Sequence, residues 1–414
     1  MSPVLFLPDE SSYLAIRWLD THPQQRPVDL LFAEGNRAEA ERIRSRYPTV
    51  SGLIPLPESE RPGPLDGSAR STTEGRRAIL PVQPHLFPLR YFKPNLLPNL
   101  NPYYAFFRKL WFLGFRHFEV FNLSGTTTFS IPHVLDEYVD RHKDRRCFVV
   151  GNGPSLNDVD MTLLKNEITL GANRCYLGYE KWGFPFTYWG IADMLQIEEC
   201  WKEYADNIPA ETPKFYPFEY LPFLSSVNGC PVNATTKHME FPKFSDSCDR
   251  IHLGSTVTYL LLQIAAVMGC NPIVLVGVDH RYPLKKGVGE RPPLTERILG
   301  TSRRWLERRL DGTLIHEFVR TYYRVRAESR PTRRQSGPKE SVYWRDRDTT
   351  QPTHFDPRYT QGGERRFRVP VPRWADRQFR LAARWAEEKG VRILNATPNS
   401  ALEAFPKVPY ESLF

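Results

Sequence analysis

The 414 residues exceed the ~100–200 of a usual single domain, and a composition 41% hydrophobic and 13% aromatic is ample for a core, so two domains are expected. Six cysteines with no C-x-x-C pair and no spacing shared with histidines exclude a zinc or disulfide framework, and no stretch approaches the ~18 apolar residues of a spanning helix. The formal charge of +9 is concentrated, because residues 281–350 hold 18 Lys/Arg against 9 Asp/Glu and leave the remainder near neutral; no DNA- or RNA-binding module accompanies those arginines, so nucleic acid is not the expected partner.

The chain opens on an apolar run without a basic leader, which predicts a first strand rather than a signal peptide and, with the cysteine usage, a cytoplasmic protein. Val4–Leu7, Val28–Phe32 and Ser51–Pro55 read as strands, and Ser12–Thr21 and Arg37–Tyr47 as helices. That alternation predicts a small parallel α/β domain over residues 1–143. It has no glycine-rich turn and is assigned no catalytic role. Residues 59–78, rich in Pro, Gly, Ser and charge, read as an exposed connection. Tyr103–Phe115 is an aromatic helix, suited to packing against a neighbouring domain or, less well, to peripheral contact with a membrane surface. Phe118–Phe121 reads as a strand and Ile131–Lys143 as a helix.

The second domain, residues 144–414, is organised around Cys147–Leu156. Four β-prone residues run into Gly151-Asn152-Gly153-Pro154-Ser155, and a helix-like segment follows from Asn157 to Lys165. A strand, a tight glycine turn and a helix start can bring backbone N–H groups to a phosphate. Pro154 suits a first helical position, and Ser155 with Asp158 reads as a capping box. The third glycine of the dinucleotide fingerprint is missing and no G-x-x-x-x-G-K-[ST] occurs, so neither an ordinary NAD site nor a P-loop is expected. The same turn also fits any α/β protein.

Further apolar runs end in the same way, at Asn173, at Asp193 and at Asp279-His280. Turns favour Asn and Asp, so one such ending is commonplace, but four in one domain predict a polar crevice beyond the carboxyl ends of parallel strands. Between the third and fourth lies a helix over Leu253–Gly269 that Ser255 or Thr256 can cap, a further set of donors for an anion or simply an N-cap. The Arg-rich insertion 281–350 reads either as a basic lid over an anionic substrate or as a solvated loop. An amphipathic helix over Arg373–Lys389 and a strand over Val391–Asn395 close the sheet.

Taken together, Gly151-Asn-Gly-Pro-Ser-Leu-Asn157, Leu164-Lys-Asn-Glu-Ile-Thr-Leu-Gly-Ala-Asn-Arg174, Gly254-Ser-Thr-Val-Thr-Tyr259 and Leu275-Val-Gly-Val-Asp-His280 resemble the MptE-like domain family. That family contains an archaeal 6-hydroxymethylpterin diphosphokinase and the central domain of bacterial motility accessory factors. The resemblance covers about Cys147 to Tyr282 and resumes at Thr353–Tyr359 and Ile393–Thr397. It implies a Rossmann-like, mostly parallel sheet. The central turn is also similar to that of small bacterial sialyltransferases, in which asparagines contact a cytidine nucleotide sugar and a lid histidine is the base. The resemblance implies that Asn152 and Asn173 hold a nucleotide and that His354, after the basic insertion, is the base, with His280 at a strand end as its competitor; the order here is Asn173-Arg174-Cys175 where those enzymes have Arg-Cys-Asn.

Transfer from a nucleotide-activated sugar needs a base for the acceptor hydroxyl, charge stabilisation of the departing phosphate and exclusion of water. His354 or His280, the Gly151–Ser155 turn with Ser255 and Thr256, and the basic insertion are the candidates for those roles. The expected function is glycosyl transfer from a CMP-linked acid sugar to a glycan or glycoprotein acceptor, with no cofactor required. The alternative, diphosphoryl transfer from ATP, requires magnesium, for which Asp193 and Asp279 are the candidate ligands. A non-catalytic nucleotide-binding protein is the third reading.

Overall fold

A computed structural model describes residues 4–7, 13–22, 27–56, 76–81, 102–122, 125–224, 228–235, 243–285, 343–344, 349–360, 367–368 and 370–414. Most of the connection 59–78 and most of the basic insertion 281–350 lie outside the described residues. The chain forms two compact units. One comprises Met1–Arg281, Thr353–Tyr359 and Val371–Phe414; the other comprises Tyr282–Pro352 and Thr360–Pro370.

The first unit is a mixed α/β structure built on two sheets. Val4–Leu7 (β1), Val28–Ala33 (β2), Val50–Leu56 (β3), Arg77–Pro81 (β4), His117–Asn122 (β5) and Gly125–Ser130 (β6) pair in the order β3-β2-β1-β4-β5-β6. All neighbours are parallel except β5 and β6. The remaining strands are Cys147–Val150 (β7), Ile168–Ala172 (β8), Tyr188–Gly190 (β9), Lys214–Pro217 (β10), Gly229–Val232 (β11), Ala234–Thr235 (β12), Ile251–His252 (β13), Ile273–Val276 (β14), Tyr343–Trp344 (β15), Phe367–Arg368 (β16) and Ile393–Asn395 (β17). Seven of them form the second sheet, all parallel, in the order β11-β10-β9-β8-β7-β14-β17. This is the Rossmann-like arrangement. The short pair β12–β13 is parallel, and β15–β16, in the second unit, is antiparallel.

Strands β7, β8, β10, β11 and β14 are buried along their whole length, as a parallel sheet covered on both faces requires. One face packs on the helix Val257–Val267, of which nine residues are buried, and on the C-terminal helix Pro372–Lys389 through Ala375, Phe379, Ala382 and Ala386. The other face shares a core with the first sheet. There Tyr104, Phe107, Leu110 and Trp111 of the helix Pro102–Phe112 sit with Phe118, Phe129, Phe148 and Phe218. The aromatic rings of that helix are thus spent on packing. All six cysteines are buried and unbridged. Among the described residues no helix is long and apolar enough to cross a membrane.

Two expected helices are corrected. Over Ile131–Lys143 only the 3-10 turn Leu135–Tyr138 forms, because Pro132 lies at its head and Asp140 takes a positive φ of 53°. Over Asn157–Lys165 two 3-10 turns replace one helix, Pro154–Asn157 and Met161–Leu164. Asp160 breaks the run by accepting the Thr162 N–H at 3.0 Å and starting the second turn.

Candidate functional site

The order of the second sheet reverses between β7 and β14. The chain builds outward from β7 through β11, then returns to the other side of β7 for β14 and β17. In such sheets the crevice at the reversal, beyond the carboxyl ends of the strands, is where ligands bind. The four polar strand ends noted in the sequence fall along this edge. Asp193, Asn173, Asn152 and Asp279-His280 follow β9, β8, β7 and β14, which are consecutive neighbours.

The glycines of the central turn serve close packing. Gly151 N–H donates to Val276 O at 2.8 Å and Gly153 N–H to Gly277 O at 2.9 Å. These amide hydrogens, offered by the sequence to a phosphate, are directed to the end of β14. Ser155 makes no capping box with Asp158. Its hydroxyl donates to Asp279 Oδ2 at 2.6 Å and its N–H to Asp279 Oδ1 at 3.3 Å. The loop after β17 fixes the other side of this turn, with Thr397 Oγ1 accepting from Val278 N–H at 3.0 Å and Ser400 Oγ donating to Val278 O at 2.6 Å. Burial pushes the Asp279 carboxyl above its ordinary range, against the lowering effect of the Ser155 bonds.

Of the polar residues at these four strand ends, Asn152 and Asn173 carry a buried atom without a hydrogen-bond partner among the described residues. The Asn152 amide donates to Ala172 O at 3.0 Å, and since a carbonyl can only accept, this fixes Oδ1 at the other end. Asn173 sits at φ 47°, a left-handed position that asparagine tolerates, and its amide meets Tyr359 OH at 3.3 Å. Both Oδ1 atoms are enclosed and have no hydrogen-bond partner among the described residues.

The segment Thr353–Tyr359 lies against these asparagines. Phe355 N–H donates to Asn152 O at 3.0 Å, and Asn157 Nδ2 donates to Phe355 O at 2.8 Å. Arg174, which is buried, grips the end of the segment by donating to the carbonyls of Arg358, at 2.7 Å, and Tyr359. It also donates to Glu203 Oε2 at 2.8 Å and to Tyr176 OH at 3.2 Å. Sequence reasoning left Arg174 without a role of its own. Its partners are 29 and 184 residues away, so no local pattern marks it.

His354 and His280, the two candidate bases, differ in setting. The His354 ring stacks on Tyr359 at 3.7 Å, and Nδ1 shares a hydrogen with Thr353 Oγ1 at 2.9 Å. Burial, with Arg174 nearby, pushes its pKa down to about 3, so it is neutral at ordinary pH. The unfolded chain takes up this proton below ~6.5 while the folded chain does not. Stability is therefore lost as pH falls from ~6.5 toward about 3. His354→Phe, which keeps the stacked ring, is expected to flatten that part of the stability–pH curve in urea unfolding; an unchanged slope would contradict the assignment. His280, at φ 56°, points Nε2 at Asp376 Oδ1, 2.8 Å away, with its side chain 5% exposed.

The other expected ligands have local partners. Asp193 caps the helix Met194–Asn207 by accepting Leu195 N–H at 3.0 Å. Ser255 directs both its N–H and its hydroxyl to Gln378 Oε1, at 2.8 and 2.9 Å. Thr256 is the N-cap of the helix Val257–Val267. Among the described residues no three His, Cys, Asp or Glu side chains come together in a metal-holding group. Asp193 Oδ1 thus caps a helix, and the Asp279 carboxylate is held by Ser155.

No family model matches the chain, and no curated protein matches it. Among solved structures, the Maf glycosyltransferase from Magnetospirillum magneticum AMB-1 is similar over 99% of this chain, at 12% identity and a TM-score of 0.36. The chain spans 58% of that protein's length.

Proposed function

We propose that the chain is a glycosyltransferase whose nucleotide-activated donor binds at the carboxyl edge of the second sheet, and that this donor is a CMP-linked acid sugar used in surface polysaccharide or glycoprotein assembly. The observation that supports this reading is the pair of enclosed, unpartnered carbonyls, Asn152 Oδ1 and Asn173 Oδ1, on adjacent strand ends. A buried acceptor without a donor costs about 1–3 kcal/mol, which a ligand that donates there restores. Ribose hydroxyls and the amine of cytosine are donors; phosphate is not. The asparagines therefore suit the nucleoside rather than the phosphates. The choice of cytidine follows the likeness of this turn to the sialyltransferase turn.

For the acceptor's proton, His280 is the better-placed base. Asp376 would hold its ring in orientation and stabilise the imidazolium that forms, whereas His354, with a pKa of about 3, takes a proton poorly. The segment Thr353–Tyr359 then serves as a wall, excluding water that would hydrolyse the activated sugar.

Calorimetric titration with CMP and with ATP, each with and without magnesium, tests the reading. CMP is expected to bind without metal, and Asn152→Ala to weaken it about tenfold or more, the equivalent of ~1.4 kcal/mol. Unchanged CMP affinity in the variant would remove this strand end from the site. Magnesium-dependent preference for ATP would move the function to diphosphoryl transfer.

A further inference from the structure

The helix Pro372–Lys389 carries a row of arginines that the nucleotide site does not use. Arg373, Arg377, Arg380 and Arg384 follow one another at intervals of four, three and four residues, which places them on one face. At 1.5 Å per residue they rise by ~6, ~4.5 and ~6 Å, a line of ~16 Å. All four are exposed, while the opposite face is buried in the core.

Among the described residues none of the four has a hydrogen-bond or ion-pair partner; Arg373 lies near the ring of Trp374, at 5.9 Å. Some surface arginines of the chain hold a glutamate close to them in sequence. On the helix Arg37–Arg46, Arg37 and Arg42 each hold a glutamate three residues back at 2.6 Å. The C-terminal helix offers acids at similar spacing, yet Asp376, four residues before Arg380, is bonded to His280, and Glu387 and Glu388 beyond Arg384 are not engaged with it. The guanidinium groups are therefore left open to an external anion.

The row begins beside the candidate site. Asp376, between Arg373 and Arg377, is the partner of His280, and Gln378 is the partner of Ser255. We propose that this row is the docking track of the acceptor, and that the acceptor is an acidic glycan whose carboxylates recur along a single chain and whose end is delivered to His280. This rests on the glycosyl-transfer reading and names the acceptor class for the same site. Arginine pairs with carboxylates through two parallel N–H groups, which suits such a chain. A bilayer would need an apolar helix face to enter it, and here that face is buried. No DNA- or RNA-binding module accompanies the row.

The full-length chain would be titrated with a hexamer of α2,8-linked sialic acid, at low and at high salt. The wild type is expected to bind, more weakly at high salt. A variant with Arg373→Gln, Arg377→Gln, Arg380→Gln and Arg384→Gln is expected to bind on the order of 30-fold more weakly, with its melting temperature and CMP affinity unchanged. A control with Arg37→Gln and Arg42→Gln is expected to match the wild type. Equal hexamer affinity in the quadruple variant, or no binding by the wild type, would overturn the proposal. So would row-dependent binding that is tighter for a short oligodeoxynucleotide or for phosphatidylglycerol vesicles. Row-dependent hexamer binding by a chain that ignores CMP would support the track and overturn the donor assignment alone.

Discussion

Gly151→Ala is expected to cost about 3 kcal/mol of stability, the upper end for overpacking a tight site, and to abolish nucleotide binding in whatever folded fraction remains. The added methyl would fall onto the carbonyl oxygen of Gly277 and 2.9 Å from its carbon. Both are backbone atoms at the end of β14, and they are fixed there by the Gly151 and Gly153 N–H bonds and by Thr397 and Ser400 behind them. No rotamer change relieves such a contact, so β7 and β14 must part at the reversal of the sheet, and Asn152 moves with β7. Urea unfolding and CMP titration check this. Gly35→Ala is the control, since a methyl there meets nothing within 4 Å. A Gly151→Ala variant as stable as the Gly35→Ala control would show that the turn has slack the packing does not suggest.

The second large effect is expected from Arg174→Met. The substitution keeps the volume of the stem and removes the guanidinium, leaving the carbonyls of Arg358 and Tyr359 short of a donor and weakening the hold on Glu203. Removing one partner of a buried ion pair costs ~3–5 kcal/mol; with the Glu203 side chain 31% exposed to water, about 2–3 kcal/mol is expected. The loss should be local. The segment Thr353–Tyr359 would come away from Asn152 and Asn173, and turnover should fall about a hundredfold while the second sheet stays folded. Hydrogen exchange at Phe355, whose N–H donates to Asn152 O, reads this directly. Unchanged protection at Phe355 would mean that Arg174 does not secure the segment.

Much of this was legible in the sequence, and the limits have physical causes. The strands bounded by Asn152, Asn173, Asp193 and Asp279 are short apolar runs with turn residues after them, and the C-terminal helix has a clear apolar stripe; local chemistry determines both. Strands β10 and β11 were not read, because Lys214-Phe-Tyr-Pro217 and Gly229-Cys-Pro-Val232 each contain a proline, which argues against a strand unless parallel neighbours claim it. The helices expected at Ile131–Lys143 and Asn157–Lys165 failed for the converse reason: aspartates with local hydrogen bonds or left-handed backbone outweighed apolar spacing. In the site, the asparagines could be named from their turns. What could not be read was that Ser155 turns to Asp279 across 124 residues and that His280 answers to Asp376 across 96. Those pairings exist only once β14 lies beside β7.

The burial of every thiol makes the chain its own reporter of opening. Cys147, Cys175, Cys200, Cys230, Cys248 and Cys270 all lie in or around the second sheet, and residues 1–146 contain none. A thiol reagent therefore has nothing to attack in the closed molecule, and each modification records a moment when part of that sheet was exposed to solvent. Separation of the first sheet alone would pass unseen. Mass-resolved labelling thus yields a clock for one half of the molecule, with Cys175, next to Arg174 in sequence, as the hand just beyond the carboxyl end of β8.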